Sequence, residues 1–201
     1  SCGMVMALGG IVMTKVASDY GLPAPVAIAC GVGVTTLFGL LNGLLVTKIK
    51  LPPFIVTLGM WQIVLAANYL YSANETIRAQ DIEAEAAFLQ IMGTTFAIGG
   101  ARLTLCVIVM LLVALALAYA LRATAWGRHV YAVGDDPDAA QLAGVNVHKT
   151  LMSVYMLVGF ICALAGWVMI GRFGSVSPSA TTGVIGNIQA ITAVVIGGIS
   201  L

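Results

Sequence analysis

Charged residues are scarce in this chain. They make up 8% of its 201 residues, against about a quarter in soluble globular proteins, while hydrophobic residues make up 60%. A soluble domain with this composition would expose a largely apolar surface, so the composition excludes an ordinary soluble fold. Nine Lys and Arg residues against eight Asp and Glu residues give a net charge of +1, which also excludes a strongly basic surface for binding nucleic acid.

Several long segments contain no Asp, Glu, Lys, Arg or His. Four of them cover residues 26–47, 51–73, 103–121 and 151–171. Each approaches or exceeds the ~20 residues that a helix needs to cross a bilayer. Residues 3–14 and 188–201 are also uncharged and apolar but shorter. The sequence therefore predicts an all-α integral membrane protein, a polytopic helical bundle with four complete and two partial spans.

The ends of the chain lie within or beside apolar segments. The sequence has no initiator Met, begins in one apolar segment and stops in another. We therefore expect a fragment of one transmembrane domain, covering residues 1–201 and truncated at both ends.

Patterns typical of catalytic and metal sites are missing from the sequence. The four cysteines have no CxxC spacing, and the two histidines form no HExxH pattern, so we expect neither a catalytic residue nor a bound metal. The cysteines are predicted to be small core residues, and they are Cys2, Cys30, Cys106 and Cys162.

An energy source is also missing from the sequence. No GxxxxGK[ST] loop is present to bind the phosphates of ATP, and no ionisable Asp, Glu, Lys, Arg or His lies in the four complete spans. Ion-driven carriers normally place such groups inside the membrane to bind the coupling ion. The sequence therefore favours a transporter that receives its energy from a separate partner.

Polar connections separate the predicted spans. Residues 74–102 are acidic and are predicted to form a partly helical loop outside the cytoplasm, whereas residues 122–150 lie on the opposite side. The side of 122–150 carries five Lys and Arg residues and the other carries four, a weak positive-inside signal for the cytoplasm. Residues 173–186 are rich in Ser, Thr and Gly and are predicted to form a turn before a helix that starts near Asn187.

The connection 122–150 contains signals for a short helix. Asp136 is a good N-cap, Pro137 suits the first helical position, and Gly144 is a natural C-terminal stop. These signals predict a helix of roughly two turns. Its small apolar surface would consist of Ala139, Ala140, Leu142 and Ala143. One interpretation is a docking element for a partner protein, and the alternative is an ordinary capped loop.

Small residues recur at four-residue spacing within the spans. Gly39 and Gly43 form one such pair, and Gly159 and Ala163 form another. Small side chains let membrane helices approach closely, which indicates a packed bundle with a dimer or translocation interface. The alternative is that Gly and Ala are simply frequent in membrane helices.

The stretch 124–147, TAWGRHVYAVGDDPDAAQLAGVNV, resembles the cytoplasmic loop of monosaccharide-importing ABC transporter permeases, the ribose/xylose/arabinose/fructose group. Residues 1–8, 48–58 (KIKLPPFIVTL) and 191–201 (ITAVVIGGISL) also resemble segments of that family, although Cys2 stands where the family usually has Val. The strings YSANETIRAQ at 71–80 and GRHVYAVGDDP at 127–137 are most similar to fructose-type permeases.

This resemblance implies a coupling helix that seats in a cleft of a cytoplasmic ABC ATPase. The partner ATPase would use ATP and Mg, and this chain would bind no cofactor. The resemblance also implies a second permease copy, a periplasmic sugar-binding protein and surrounding membrane lipid in the bacterial plasma (inner) membrane. The implied coupling residues are Gly134, Asp135, Asp136, Pro137, Asp138, Ala139, Ala140, Leu142, Ala143 and Gly144.

Uncharged hydrogen-bonding groups and one Trp within the apolar segments are candidates for the sugar path, since they suit a neutral polyol. They are Asn42, Trp61, Gln62, Asn68, Tyr69, Asn187 and Gln189. The alternative for each is a contact between helices or an interfacial aromatic.

The sequence favours the membrane subunit of an ATP-driven monosaccharide importer that works by alternating access, with fructose or a ribose-like sugar as cargo. Two alternatives stay open. One is a permease of the same superfamily that carries an amino acid or a nucleoside, and the other is a facilitator or channel that needs no ATPase.

Overall fold

The computed structural model describes residues 1–72, 91, 93–98, 101–173 and 180–197. Within them the chain forms eight helices and one hairpin. In chain order these are α1 (Cys2–Ser18), α2 (Ala24–Lys48), α3 (Pro53–Ser72), β1 (Thr95–Ile98), β2 (Ala101–Thr104), α4 (Leu105–Ala123), α5 (Ala125–Asp135), α6 (Pro137–Leu142), α7 (Val147–Phe173) and α8 (Ala180–Ile196).

Four helices, α2, α3, α4 and α7, are long and apolar enough to cross a membrane. They coincide with the four uncharged segments of the sequence, although α7 starts at Val147 and so includes residues assigned above to a polar connection. The short break between α2 and α3 follows from Pro52 and Pro53, since the residue before a proline is disfavoured in the helical conformation. Within this break Lys50 has a positive φ of 57°.

Helix α1 forms the centre of the bundle. Of its 17 residues, 13 are buried, and it contacts α2, α3, α7 and α8. A helix that is apolar on all sides is stable only when other helices surround it. Its buried hydroxyl, on Thr14, donates to the carbonyl oxygen of Gly10 at 2.9 Å, so no hydroxyl of this core helix is left without an acceptor.

Glycines bring α2 and α7 into close contact. A Cβ atom added to Gly39 would overlap the carbonyl oxygen of Tyr155, and one added to Gly159 would lie 2.6 Å from the carbonyl oxygen of Thr35. A Cβ on Gly43 would lie 3.2 Å from the Cβ of Tyr155. The small-residue motifs of the two helices therefore pack against each other within one chain, which confirms the predicted packed bundle.

Helix α8 begins earlier than expected. The sequence predicted a turn across 173–186 and a helix from about Asn187. The helix instead begins at Ala180, so the prediction is wrong for residues 180–186. Residues 174–179 lie outside the described residues. The physical reason is close packing on α1, because a Cβ on Gly186 would lie 3.3 Å from the Cα of Gly3. Tertiary contact therefore stabilises a helical segment whose composition alone favours a turn.

A β-hairpin precedes α4. Strands β1 and β2 pair antiparallel, with Thr95 opposite Thr104, and the amide of Leu105 donates to the carbonyl oxygen of Thr94 at 3.0 Å. The sequence prediction of a partly helical loop missed this hairpin. Its helix-forming part, at 83–90, lies outside the described residues. The two glycines at 99 and 100, between short β-compatible segments, were the available signal.

The cysteines differ in burial. Cys162 belongs to the core, and Cys2 packs against it, as predicted. The prediction is wrong for Cys30, which is exposed on α2. A small apolar side chain is equally compatible with a lipid-facing surface, so composition cannot distinguish the two environments.

Substitution of Gly39 by Val should destabilise the bundle, because the added side chain meets the backbone of Tyr155. We expect a loss of about 1–3 kcal/mol, the usual cost of overpacking a core. The matched control is Gly33→Val on the same helix, where an added Cβ meets nothing within 4 Å. Thermal unfolding of the full-length protein in detergent measures both, and equal midpoints for the two variants would contradict the close contact.

Candidate functional site

The polar segment between α4 and α7 begins with a sharp turn at Thr124. The Thr124 hydroxyl donates to the carbonyl oxygen of Ala120 at 2.5 Å and accepts the amide of Gly127 at 3.2 Å. It therefore closes α4 and caps α5 with one side chain. Gly127 is buried against the backbone of Leu121, where a Cβ would overlap the carbonyl oxygen. The turn thus fixes the direction in which α5 leaves α4.

Helix α5 is held to α7 by a hydrogen bond between side chains. The indole Nε1 of Trp126 donates to the Oγ of Ser153 at 2.8 Å. The Ser153 hydroxyl donates in turn to the carbonyl oxygen of Thr150 at 2.7 Å. Because its own proton is committed to that carbonyl, the Ser153 oxygen presents a lone pair to the indole. This geometry links α5 to the first turns of α7.

Helix α6 is capped at both ends. The Oδ1 of Asp136 accepts the amides of Asp138 at 2.9 Å and Ala139 at 3.0 Å, which confirms the predicted N-cap. At the other end, Gly144 has a φ of 85°, and the amide of Val145 donates to the carbonyl oxygen of Ala140 at 3.0 Å. This pattern is a Schellman motif. Hydrogen bonds thus satisfy backbone groups at both ends of this six-residue helix.

The outer face of α6 differs from the predicted apolar surface. Ala140 is only 4% exposed, as deeply buried as Val133 on α5, which is 5% exposed. The prediction that Ala140 belongs to the docking surface is therefore wrong. Leu142 is 91% exposed, and Tyr131 on α5 is 62% exposed. Tyr131 was missed by the sequence prediction, although it is the nearest exposed aromatic residue before α6.

We define the docking face as the exposed residues of α6 and the end of α5. Besides Leu142, these are Gly134, Asp135, Asp136, Pro137, Asp138, Ala139 and Gln141, together with Ala143 and Gly144 just beyond the end of α6. The face combines one large apolar side chain with three aspartates. A Cβ on Gly134 would meet nothing within 4 Å, so this position tolerates a side chain without disturbing α5. Such a face suits a partner groove with an apolar pocket and basic neighbours.

Two of the seven sugar-path candidates meet at the start of α1. The Nδ2 of Asn68 donates to the carbonyl oxygen of Met4 at 3.3 Å, and the Oδ1 of Asn187 accepts the amide of Gly3 at 2.9 Å. Asn68 is completely buried, and its Oδ1 has no hydrogen-bond partner. These contacts tie α3 and α8 to α1, so the two amides have a packing role whatever else they do.

The other candidates are dispersed. Asn42 is buried on α2, and Trp61 on α3 is half-buried against the core. Gln62, Tyr69 and Gln189 are exposed. A cavity of about 910 Å³ lies between α4, α7 and α8, and of the seven candidates only Gln189 lines it. Its described lining is mainly apolar, with Arg172 as its one charged side chain. The structure therefore does not gather the candidates into one site within the described residues.

Metal-binding groups are likewise not gathered. In the described part of the chain, no cluster of three or more His, Cys, Asp or Glu residues has the geometry to hold a metal ion.

Known proteins identify the family. The family model described as the permease component of the branched-chain amino acid transport system matches residues 1–201, the whole chain. The chain belongs to this permease family. A fructose import permease of Rhizobium meliloti is 61% identical over 201 residues, which cover 100% of this chain and 55% of the relative.

Less similar relatives of this permease are named for the import of other sugars. A galactose/methyl galactoside import permease of Haemophilus influenzae is 32% identical over 89% of this chain and 52% of its own length. A ribose import permease of Escherichia coli strain K12 is 33% identical over 100% of this chain and 60% of its own length. The chain thus spans little more than half the length of these relatives. No solved structure matches it.

The match and the four membrane-length helices together make this permease a multi-pass protein of the bacterial inner membrane, and its membrane-length segments are helical as predicted. What local sequence rules missed is the contact between Trp126 and Ser153. These residues are 27 positions apart, and no local pattern relates them.

Replacement of Asp136 by Ala should loosen α6, because two amides lose their acceptor. Loss of an N-cap costs about 0.5–2 kcal/mol of helix stability. Hydrogen exchange of the peptide that contains 137–143 should become correspondingly faster, whereas Asp136→Ser retains a capping oxygen and should restore protection. Asp135→Ala is the control for loss of charge, and equal acceleration in that variant would contradict the assignment of the cap.

Proposed function

We propose that this permease is the membrane-spanning subunit of an ATP-driven importer that moves a monosaccharide by alternating access. The single observation that supports it most is α6, a short helix capped at both ends whose Leu142 side chain is 91% exposed in a polar segment between two membrane-length helices. On this capped helix the exposed leucine lies among aspartates, a combination that a partner groove with an apolar pocket and basic neighbours would cover. That partner would be a cytoplasmic ABC ATPase, which would place residues 122–150 in the cytoplasm.

The distribution of charge supports an external source of energy. In α2, α3, α4 and α7, the Asp, Glu, Lys, Arg and His residues are confined to the terminal turns, and they are Lys48, Arg122, His148, Lys149 and Arg172. These helices offer no acid or base within the membrane for proton or ion coupling. ATP and Mg would be bound by the partner, and this chain would contribute no catalytic residue and bind no cofactor.

Fructose is the cargo that we propose first, because the 61% identical relative is a fructose import permease. The importer would also contain a periplasmic sugar-binding protein, a second permease copy and surrounding lipid. Asn42, Trp61, Gln62, Asn68, Tyr69, Asn187 and Gln189 remain the proposed sugar-path residues. Because the family description names branched-chain amino acids, an amino acid is the second candidate cargo.

The importer hypothesis is tested by replacement of residues 136–144 with a Gly/Ser segment in the full-length protein. Co-purification with candidate ATPase subunits should detect an ATPase with the native protein and none with the replacement. Uptake of radiolabelled fructose, ribose, galactose and leucine into proteoliposomes with the partners then identifies the cargo. If no ATPase binds the native protein and uptake proceeds without ATP, a facilitator is the better account.

Leu142→Asp should weaken ATPase binding without unfolding the permease, since the side chain is almost fully exposed. Loss of a hot-spot residue of an interface costs about 2 kcal/mol or more, and a loss of that size reduces affinity roughly thirtyfold. The matched control is His148→Asp, an exposed position outside α6 that introduces the same charge. Wild-type uptake by Leu142→Asp, measured at limiting ATPase concentration, would refute the docking face.

A further inference from the structure

Movement of α6 can reach the membrane helices by two routes. Helix α6 packs more extensively on α5 than on α7. A force applied to α6 therefore acts first on α5. Helix α5 is joined to α4 through Thr124 and Gly127, and to α7 through Trp126 and Ser153. Whichever of these two junctions is stiffer decides which membrane helix follows α6.

The junction with α7 leads into the tightest packing in the bundle. Ser153 lies two residues before Tyr155 and six before Gly159, which are the residues that meet α2 at Gly39. At a rise of about 1.5 Å per residue, less than 10 Å of helix separates the hydrogen bond from this contact. Displacement of the start of α7 must therefore carry α2 with it, since close-packed backbones cannot slide apart by small amounts.

The junction with α4 leads into loose packing. Against the described part of the chain, α4 has no buried residue, and the cavity of about 910 Å³ separates it from α7 and α8. Movement delivered to α4 would not be transmitted by direct contact to the core around α1.

We propose that Trp126 is a positioning residue whose hydrogen bond to Ser153 makes α7, and through it α2, follow the displacement of α6. This inference rests on the proposed function, since it assumes that a partner ATPase moves α6. The indole is suited to the role because it is half-buried, rigid and offers one donor, and the Ser153 oxygen that accepts it is oriented by its own bond to Thr150.

A double-mutant cycle tests the proposal in the full-length permease, reconstituted in proteoliposomes with its ATPase and binding protein. Trp126→Phe removes the donor and keeps an aromatic, smaller side chain, and Ser153→Ala removes the acceptor. The measured quantity is the number of ATP molecules hydrolysed per labelled fructose transported. We expect each single variant to raise this ratio on the order of threefold, as for loss of one hydrogen bond, and the double variant to raise it no further.

Two further variants separate positioning from general loss of structure. Ser153→Thr retains the hydroxyl and should restore the wild-type ratio. Thr57→Val removes a hydroxyl that bonds locally within α3, to the carbonyl oxygen of Phe54, and should leave the ratio unchanged. Co-purification of the ATPase should be equal in all variants, because none alters the docking face.

The outcomes distinguish this proposal from the function on which it rests. Absence of ATP-dependent uptake by the wild-type protein would refute both. With the wild-type protein active, an unchanged ratio in Trp126→Phe and Ser153→Ala, or effects that add in the double variant, would refute the role of Trp126 alone.

Discussion

The close packing of α1, α2 and α7 is the constraint on which the rest of the molecule depends. Lipid tails are as apolar as the side chains of a neighbouring helix. Burial of apolar area therefore cannot by itself hold these helices together. Backbone approach at Gly39 and Gly159, and the full burial of α1 between its neighbours, provide the dense van der Waals contact instead. The Asn68 side chain donates to a carbonyl oxygen of α1 and the Asn187 side chain accepts an amide of α1, and these hydrogen bonds fix α3 and α8 to the same core.

The polar segment solves the opposite problem, because it must keep its shape with little burial. Local hydrogen bonds replace packing there. Thr124, Asp136 and Asn146 each accept a backbone amide at a helix start, and Gly144 allows the reversal that ends α6. The few buried positions, among them Val133 and Ala140, are small or β-branched and fasten the segment from within. The outer face is therefore exposed, and neither cap of α6 uses a side chain of that face other than Asp136.

The sequence predicted features that depend on local rules and missed those that depend on distant contacts. The uncharged segments correspond to α2, α3, α4 and α7, and the capping residues of α6 were identified before its geometry was known. The burial of Ala140 was not predictable, because it depends on how α6 packs against its neighbours. Neither was the helical start of α8, whose Gly and Thr residues favour a turn until Gly186 meets Gly3 on α1. Exposure of Cys30 likewise reflects which face of α2 meets the core.

The contrast between α4 and α7 gives the polar segment a mechanical asymmetry. Both helices are membrane-length and uncharged apart from their ends, so hydropathy treats them alike. In the described structure, however, α7 is locked to α2 and α1 by backbone contacts, whereas α4 borders a cavity on the side that faces α7 and α8. If displacement of α6 moved α4 and α7 equally, part of that displacement would only close the cavity beside α4. In our proposal, the hydrogen bond between Trp126 and Ser153, close to the contact of α7 with α2, transmits the displacement of α6 to these two closely packed helices. Trp126 directly precedes buried Gly127. Gly127 packs where α5 leaves α4, and Trp126 bonds α5 to α7, so adjacent residues set both connections of α5.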